Sequence, residues 1–330
     1  MSEQTMAPPP ISITPDISVT VVICAYTMNR WDDTRAAVDS VLAQDRAVDE
    51  ILLVIDHNEE LYALACAQYA ASPSGGARPR VLTNGHARGL SGARNTGMYA
   101  ATTEVVAFLD DDARADPGWS EAMVEHYRHP EVDGVGGYAS PQWPLDRPGW
   151  LPEEFDWVVG CSYVGQPTAL APVRNFIGCN MSMRRRVITS LGGFNAQVGR
   201  VGSKPTGCEE TELCIRITQH EPTARLLFDP SMRVQHTVVA ERTTFGYFAR
   251  RCYHEGRSKA LVSSMIGARD ALSSERTYTL QVLPRAIGRG LRSRTADGVT
   301  QAAVVVAGLL LTACGYGLGH GRVVLFGAPQ

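Results

Sequence analysis

Lysine is nearly missing from this 330-residue chain: two lysines stand against 29 arginines, so an arginine at any one place is partly a habit of composition. The eight cysteines, at 24, 66, 161, 179, 208, 214, 252 and 314, never form a CxxC pair. That leaves zinc ligation and a disulfide framework without support and points to free thiols in a reducing compartment. No Gly-rich loop ends in Gly-Lys-Ser/Thr, and the glycines of GYGLGHG (315–321) follow no strand pattern, so neither nucleotide fingerprint applies. Excess positive charge is missing too: a net charge of -3 argues against an electrostatically driven nucleic-acid binder. The opening MSEQTMAPPPISITPD lacks the basic start and apolar run of a secretory signal and reads as a disordered leader, 1–17.

What is present reads as globular, with 44% apolar and 20% charged residues. From Ile17 onward, short β-branched runs alternate with helical patterns. SVTVVICAY (18–26), EILLVID (50–56), RVLTN (80–84) and EVVAFLDDD (104–112) have strand composition. Between them, Ala37, Val38, Val41 and Leu42 stripe a helix from Asp32 to Ala43, and SGARNTGMYAA (91–101) reads as another. Such alternation predicts a parallel sheet with helices on its faces, whose ligands sit outside the carboxyl ends of the strands. Tyr26, Asp56 and the Asp110-Asp111-Asp112 triplet all fall at those ends. After residue 130 the pattern loosens into Gly- and Pro-rich segments (134–152, 165–172, 199–207) of the kind that forms substrate loops.

Three adjacent carboxylates are costly to assemble unless a cation neutralises them, and a hard divalent metal sharing phosphate oxygens is the usual solution. A solvated loop tip is the plain alternative. A second acidic group, Glu209, Glu210 and Glu212 in GCEETELCIR (207–216), suits a helix N-terminus for dipole reasons or supplies a general base. His236 closes the apolar run MRVQHTVV (232–239) and is either structural or a ligand.

Taken in order, VTVVICAYTMNRW, LLVID, GLSGARNTGMYAATTEVVAFLDDDA, FIGCNMSMRRRVITSLGGFN, CEETELCIR, and VQH followed by RRCYHEGRSKA resemble a family 2 glycosyltransferase over roughly residues 18 to 262. The resemblance implies a GT-A fold: an α/β, Rossmann-like, mostly parallel sheet flanked by helices. It places Ala25, Tyr26, Arg30, Asp56 and Arg94 on the donor side and aligns Asp110, Asp111 and Asp112 with the Asp-x-Asp motif that holds donor and Mg²⁺ or Mn²⁺. Asp112 and His236 are the implied metal ligands, and Gly178, Cys179 and Asn180 fall in the acceptor-side loop. Glu210 stands where the catalytic base is expected. Where many relatives have Glu-Asp this chain has Glu209-Glu210, so both glutamates are candidates. One base and no protein nucleophile imply inversion at the anomeric carbon, with a nucleotide sugar as donor and UDP preferred to GDP.

The C-terminal fifth has a character of its own. Residues 241–300 hold eleven Lys and Arg against five Asp and Glu. Within RTYTLQVLPRAIGRGLRSR (276–294), Leu280, Leu283, Ile287 and Leu291 share a face with Arg285, Arg289, Arg292 and Arg294 around it, the pattern of an interfacial helix. The next 22 residues, 298–319, carry no formal charge and as a helix would span about 33 Å, close to a hydrocarbon core of ~30 Å. The expected organisation is a leader (1–17), a GT-A domain (18–275) and a membrane-associating helical extension (276–330), held at the cytoplasmic face by its arginines. A lipid-linked acceptor follows from that placement. The alternatives are a soluble glycosyltransferase acting on a small-molecule metabolite, a sugar nucleotidyltransferase, and a non-catalytic nucleotide-sugar binding module. CAYTMNRW lacks the glycine and lysine that a nucleotidyltransferase loop needs.

Overall fold

The computed structural model describes residues 16–70, 78–200 and 207–326. The expected leader lies outside the described residues except for Asp16 and Ile17; Ile17 is buried in the core and Asp16 pairs with Arg46 at 2.6 Å. The strands are β1 (Val19–Ala25), β2 (Glu50–Ile55), β3 (Arg80–Thr83), β4 (Val105–Asp110), β5 (Ala113–Ala115), β6 (Val132–Gln142), β7 (Ala171–Pro172), β8 (Asn180–Arg184) and β9 (Arg225–Thr237). The helices are α1 (Trp31–Leu42), α2 (Glu59–Ala70), α3 (Leu90–Ala100), α4 (Trp119–Tyr127), α5 (Arg185–Ser190), α6 (Glu209–His220), α7 (Phe245–Ile266), α8 (Ala268–Ala271), α9 (Ser273–Thr277), α10 (Leu283–Ser293) and α11 (Ala296–Phe326).

All nine strands join one sheet, ordered β3-β2-β1-β4-β8-β6-β9-β5 with β7 beside β9. The parallel arrangement expected from the alternation holds for β3, β2, β1 and β4. Beyond β4 the sheet is mixed: β8 is antiparallel to both β4 and β6, β9 is parallel to β6, and β5 is antiparallel to β9. Side chains alternate between two cores. Val19, Val21 and Ile23 enter the layer with α1, α2 and α4, while Val22, Leu52 and Phe108 enter the layer with α3, α5 and α6. Both faces are therefore apolar, which is why the strands read as continuous hydrophobic runs. On α1, Ala37, Val38 and Val41 are buried as the stripe predicts, but Leu42 at the helix end is 43% exposed.

Two features of this frame position the site. A Cβ at Gly97 would lie 2.4 Å from Val22 Cγ1, so glycine there lets α3 lie flat against β1 and brings Arg94 under the end of β4. The chain then leaves β4 and re-enters the sheet only two residues later as β5, pairing Ala113 with His236. Asp111 and Asp112 occupy that crossing.

The terminal segment is packed against the rest of the molecule. Leu283, Val304 and Val305 share an apolar cluster with Leu151, Phe155 and Phe248. Helix α11 lies along α7, where a Cβ at Gly256 would meet Thr312 O at 2.0 Å and one at Gly315 would meet Tyr253 O at 2.0 Å. Gly315 and Gly319 of the 315–321 stretch thus belong to a close helix crossing, whereas Gly317 and Gly321 face open space. Residues 278–282 form a π-helical turn ahead of α10; Leu283 and Ile287 face the cluster, whereas Leu280 and Leu291 are exposed. The four leucine and isoleucine positions expected on one face are divided between core and surface.

Candidate active site

The strand ends converge as the sequence implies. Asp110 ends β4, Asp112 lies in the crossing, and His236 is near the end of β9; one ligand atom from each lies within 4.8 Å of the others. His236 Nε2 stands 3.3 Å from Asp112 Oδ1, and its Nδ1 side faces the Cys161 thiol at 3.7 Å. Two carboxylates and an imidazole are a donor set that fits Mn²⁺ or Mg²⁺, with the carboxylate oxygens as the hard ligands. Asp110 thus joins Asp112 and His236 in the cluster, while Asp111 stands outside it.

The like charge at the triplet is balanced by protein cations as well. Arg30 Nη1 reaches both Asp111 Oδ1 and Asp112 Oδ2 at 3.0 Å, and Arg242 Nη2 lies 3.7 Å from Asp112. Burial alone would raise the pKa of Asp112, but His236, Arg30 and Arg242 outweigh it and hold the carboxyl well below the usual range. Asp111 moves the opposite way, pushed up by burial and by Asp112 beside it, and its Oδ2 has no hydrogen-bond partner among the described residues. Burial works against a charged His236, yet Asp112 raises its pKa to about 10; ligating a cation would require the imidazole to give up that proton.

Arg94 ties the two acidic groups together. Buried in the middle of α3, it donates from Nη1 to Glu209 Oε1 at 2.7 Å and from Nη2 to Asp110 Oδ1 at 3.0 Å and Gly178 O at 2.8 Å. Glu209 is thereby fixed in a buried ion pair. Glu210 is half-buried; it accepts a hydrogen bond from Thr211 and forms no ion pair among the described residues. Burial and the neighbouring Glu209 push its pKa up to about 8. Cys208, at a positive φ of 76°, turns the chain into α6 so that both glutamates fall in its first turn.

A cavity of about 700 Å³ opens over these groups, lined by Arg94, Asp110, Asp112, His236, Glu209 and Glu210. A shallower hollow of about 50 Å³ adjoins it, lined by Ala25, Tyr26, Arg30, Asp56, Asp110 and Asp111. Asp56 follows β2 and accepts from Asn84 Nδ2 at 2.7 Å and Gly89 N at 3.0 Å, which fixes the turn into α3. Of the three acceptor-loop residues, Gly178 and Cys179 line the cavity. Asn180 does not: fully buried, it accepts from Trp119 Nε1 at 2.8 Å and donates to Tyr138 O and Met232 O, so its amide is engaged inside the core.

Of the wall of cations in this cavity, sequence reasoning named neither Arg200 nor Arg242. Arg200, Arg242 and Arg251 line the cavity together, and burial with the mutual repulsion of the three lowers the pKa of Arg200. Arg251 stands in the run RRCYHEGRSKA, yet in a chain with 29 arginines its residue type alone carried little signal. Leu309, Thr312, Ala313 and Tyr316 of α11 also line this cavity, a role that no local pattern announces.

Comparison with known proteins agrees with this geometry. Residues 20–192 match the family model described as Glycosyl transferase family 2. The chain is 36% identical over 249 residues to the glucosyl-dolichyl phosphate glucuronosyltransferase of Haloferax volcanii, covering 74% of this chain and 77% of that protein. It is 29% identical over 190 residues to the pre-mycofactocin glycosyltransferase of Mycobacterium tuberculosis, covering 55% of this chain but only 36% of that protein. Among solved structures, the mannosyltransferase PcManGT from Pyrobaculum calidifontis in complex with GDP-Man and Mn²⁺ superposes with a TM-score of 0.57 at 17% identity, over 94% of this chain and 90% of that one. GalNAc-T7 with UDP, GalNAc and Mn²⁺ gives 0.55 at 17% identity, over 82% of this chain and 58% of that one. Both share the fold.

Proposed function

The chain belongs to glycosyltransferase family 2, a nucleotide-sugar-dependent glycosyltransferase of GT-A fold. On that premise we propose that it is an inverting enzyme. It moves a sugar from a nucleoside diphosphate, UDP in preference to GDP, to a hydroxyl of a lipid-linked acceptor at the cytoplasmic face of a membrane. The observation that carries this reading is one cavity in which the carboxylate of Glu210, without an ion pair among the described residues, shares the wall with the Asp110-Asp112-His236 cluster.

The roles follow from the contacts. Asp110, Asp112 and His236 would hold Mg²⁺ or Mn²⁺, which would neutralise charge on the diphosphate and ease its departure. Tyr26, Asp56 and Arg30 border the hollow that takes the nucleoside. Arg200, Arg242 and Arg251 face the charge that develops on the leaving diphosphate. Glu210 removes the proton from the acceptor hydroxyl; its raised pKa suits a base working near neutral pH. Glu209 is the positioning partner: paired with Arg94, it aligns the guanidinium that also holds Asp110. With one base and direct displacement, the anomeric configuration inverts.

The acceptor class is supported by the Haloferax relative, whose name specifies a glucosyl-dolichyl phosphate. Membrane contact is supported by α11, long and apolar enough to cross a bilayer. One flank of it is docked along α7. On the other, Val299, Val306, Leu310, Cys314, Leu318 and Leu325 are exposed at helical spacing, and Arg285, Arg289 and Arg292 of α10 are exposed nearby. A helix held along its length by the catalytic body suits an interfacial position better than a free span. The second reading is transfer to a small soluble metabolite; the name of the Mycobacterium tuberculosis relative, pre-mycofactocin glycosyltransferase, specifies no lipid phosphate. The deciding experiment incubates full-length protein with Mn²⁺ and a panel of nucleotide sugars, offering glucosyl geranyl phosphate or a water-soluble glucoside. Transfer to the glucoside alone would replace the lipid-linked reading with the soluble one.

A further inference from the structure

Glu275 is gripped by two cations deep in the same cavity. Its carboxylate accepts from Arg174 twice, Nη1 to Oε2 at 2.6 Å and Nη2 to Oε1 at 3.0 Å, and again from the Lys259 ammonium. Arg174 follows β7, Lys259 lies on α7 and Glu275 on α9; all three side chains are mostly buried and all three line the cavity that holds Glu210 and Asp112. The cluster is near the proposed base: Lys259 also reaches Glu255 at 3.2 Å, and Glu255 accepts from the thiol of Cys208, the residue before Glu209.

A planar guanidinium and an ammonium converging on one oxyanion match a phosphate ester as well as they match a carboxylate. The anion they hold here is carried by a short connecting helix, whereas both cations come from larger frameworks, the sheet edge and the 22-residue α7. Next to the cluster the wall turns aromatic. Tyr163 meets Tyr278 edge-on at 5.5 Å, and Tyr278 is fixed by its hydroxyl, which donates to Glu154 O at 2.6 Å and accepts from Trp157 Nε1 at 3.2 Å. On the side of α10 and α11 the lining is apolar, with Leu283, Leu309 and Ala313. Base, anion seat, aromatic shelf and apolar wall within one cavity correspond to a hydroxyl-bearing sugar, a phosphate ester and a hydrocarbon chain within one ligand.

We propose that Arg174 and Lys259 seat the phosphate of the acceptor and that Glu275 is its internal stand-in, displaced when a phosphate-bearing acceptor enters. The inference rests on the lipid-linked reading above and assigns the recognition of that acceptor to particular side chains. For a phosphodiester acceptor the exchange is charge-conserving, because it carries one negative charge as the carboxylate does; a monoester such as geranyl phosphate brings up to one charge more. Without the stand-in, the buried Arg174 guanidinium would lose its carboxylate partner and Lys259 would keep only Glu255, which is costly. With it, the empty enzyme is stable, and neutral amphiphiles find the seat closed.

The test uses full-length protein in detergent, titrated with geranyl phosphate, with geraniol and with inorganic phosphate. Titration with UDP and Mn²⁺ in the same samples reports the donor site independently. Wild-type protein is expected to bind geranyl phosphate at least tenfold more tightly than geraniol. Glu275→Gln should tighten geranyl phosphate at least fivefold and leave geraniol unchanged, and Arg174→Gln should weaken geranyl phosphate at least tenfold. Because each single change strands a charge, the Arg174→Gln/Glu275→Gln pair serves as the charge-balanced control, expected to fold and to bind the two ligands alike. The proposal is overturned if Glu275→Gln melts like wild type without tighter geranyl phosphate binding, or if the double variant still prefers the phosphate. Inorganic phosphate binding as tightly as geranyl phosphate would also overturn it, by making the seat one for the free ion. Loss of UDP–Mn²⁺ binding with the phosphate preference intact would instead count against the glycosyltransferase roles and leave the seat standing.

Discussion

Arg94 Nη1 and Glu209 Oε1 are 2.7 Å apart with both side chains buried, and the same guanidinium reaches Asp110 at 3.0 Å. This one pair separates two adjacent glutamates that the sequence leaves equivalent. Both line the cavity, but Glu209 is fixed in place by the ion pair, whereas Glu210 forms none among the described residues.

Glu210→Gln is therefore expected to keep nucleotide–Mn²⁺ affinity and lower turnover by about 10² to 10⁴. Glu209→Gln should act on the framework, lowering the melting temperature and weakening metal-dependent nucleotide binding, since it removes one charge of a buried pair. Calorimetry, thermal melts and steady-state rates on both variants check the assignment. Full turnover in Glu210→Gln with a crippled, normally melting Glu209→Gln would reverse it.

The pH profile carries a second test. Burial and Glu209 push the Glu210 carboxyl up to about 8 in the free enzyme, and only the deprotonated form accepts a proton. Transfer measured as kcat/KM should thus rise with pH and level off above about 8, and fall as the carboxylate protonates below it. In Glu210→Gln this limb should vanish. A wild-type limb near 4 to 5 would mean that the base is an ordinary exposed carboxylate.

Metal dependence comes next. Nucleoside diphosphate should bind at least tenfold more weakly with a chelator than with Mn²⁺, and Asp112→Asn should reproduce that loss with Mn²⁺ present. Its melting temperature should also drop, because Arg30, Arg242 and His236 all lean on that carboxylate. Equal affinity with and without metal would disprove the site.

The α7–α11 crossing gives a prediction with an internal control. A Cβ at Gly315 would lie 2.0 Å from Tyr253 O, whereas one at Gly317, two residues along the same helix, meets nothing within 4 Å. Gly315→Ala should destabilise by about 1–3 kcal/mol through overpacking. Gly317→Ala should be neutral or stabilise by up to about 1 kcal/mol from helix propensity. Thermal melts that rank the two the other way would show that α11 does not dock on α7 as described.

On the outer flank of the same helix, Leu310 and Leu318 are 62% and 60% exposed. Full-length protein should sediment with anionic liposomes, less so at high salt, and Leu310→Asp/Leu318→Asp should abolish sedimentation without lowering the melting temperature. Wild-type protein remaining in the supernatant would remove the membrane from the proposal.

Much of this was legible in the chain. The strands β1, β2 and β4 announce themselves because both faces of a covered parallel sheet are apolar, and their carboxyl ends are where Asp56 and Asp110 stand. The ordered motifs carried the family, and with it the carboxylates, His236 and the acidic start of α6. What sequence could not carry was the set of distances between segments far apart along the chain. Glu209 and Glu210 are chemically alike in one dimension; only the approach of Arg94, 115 residues earlier, makes one a strut and leaves the other without an ion pair among the described residues. Asp112 meets His236 because β5 pairs with β9, and Asn180 is lost to the core because Trp119 and the β6 and β9 carbonyls claim its amide. An uncharged 22-residue run likewise reads as a membrane segment from composition alone. That one side of it walls the cavity was decided by Gly256 and Gly315, whose missing side chains let two helix backbones approach closely enough to pack.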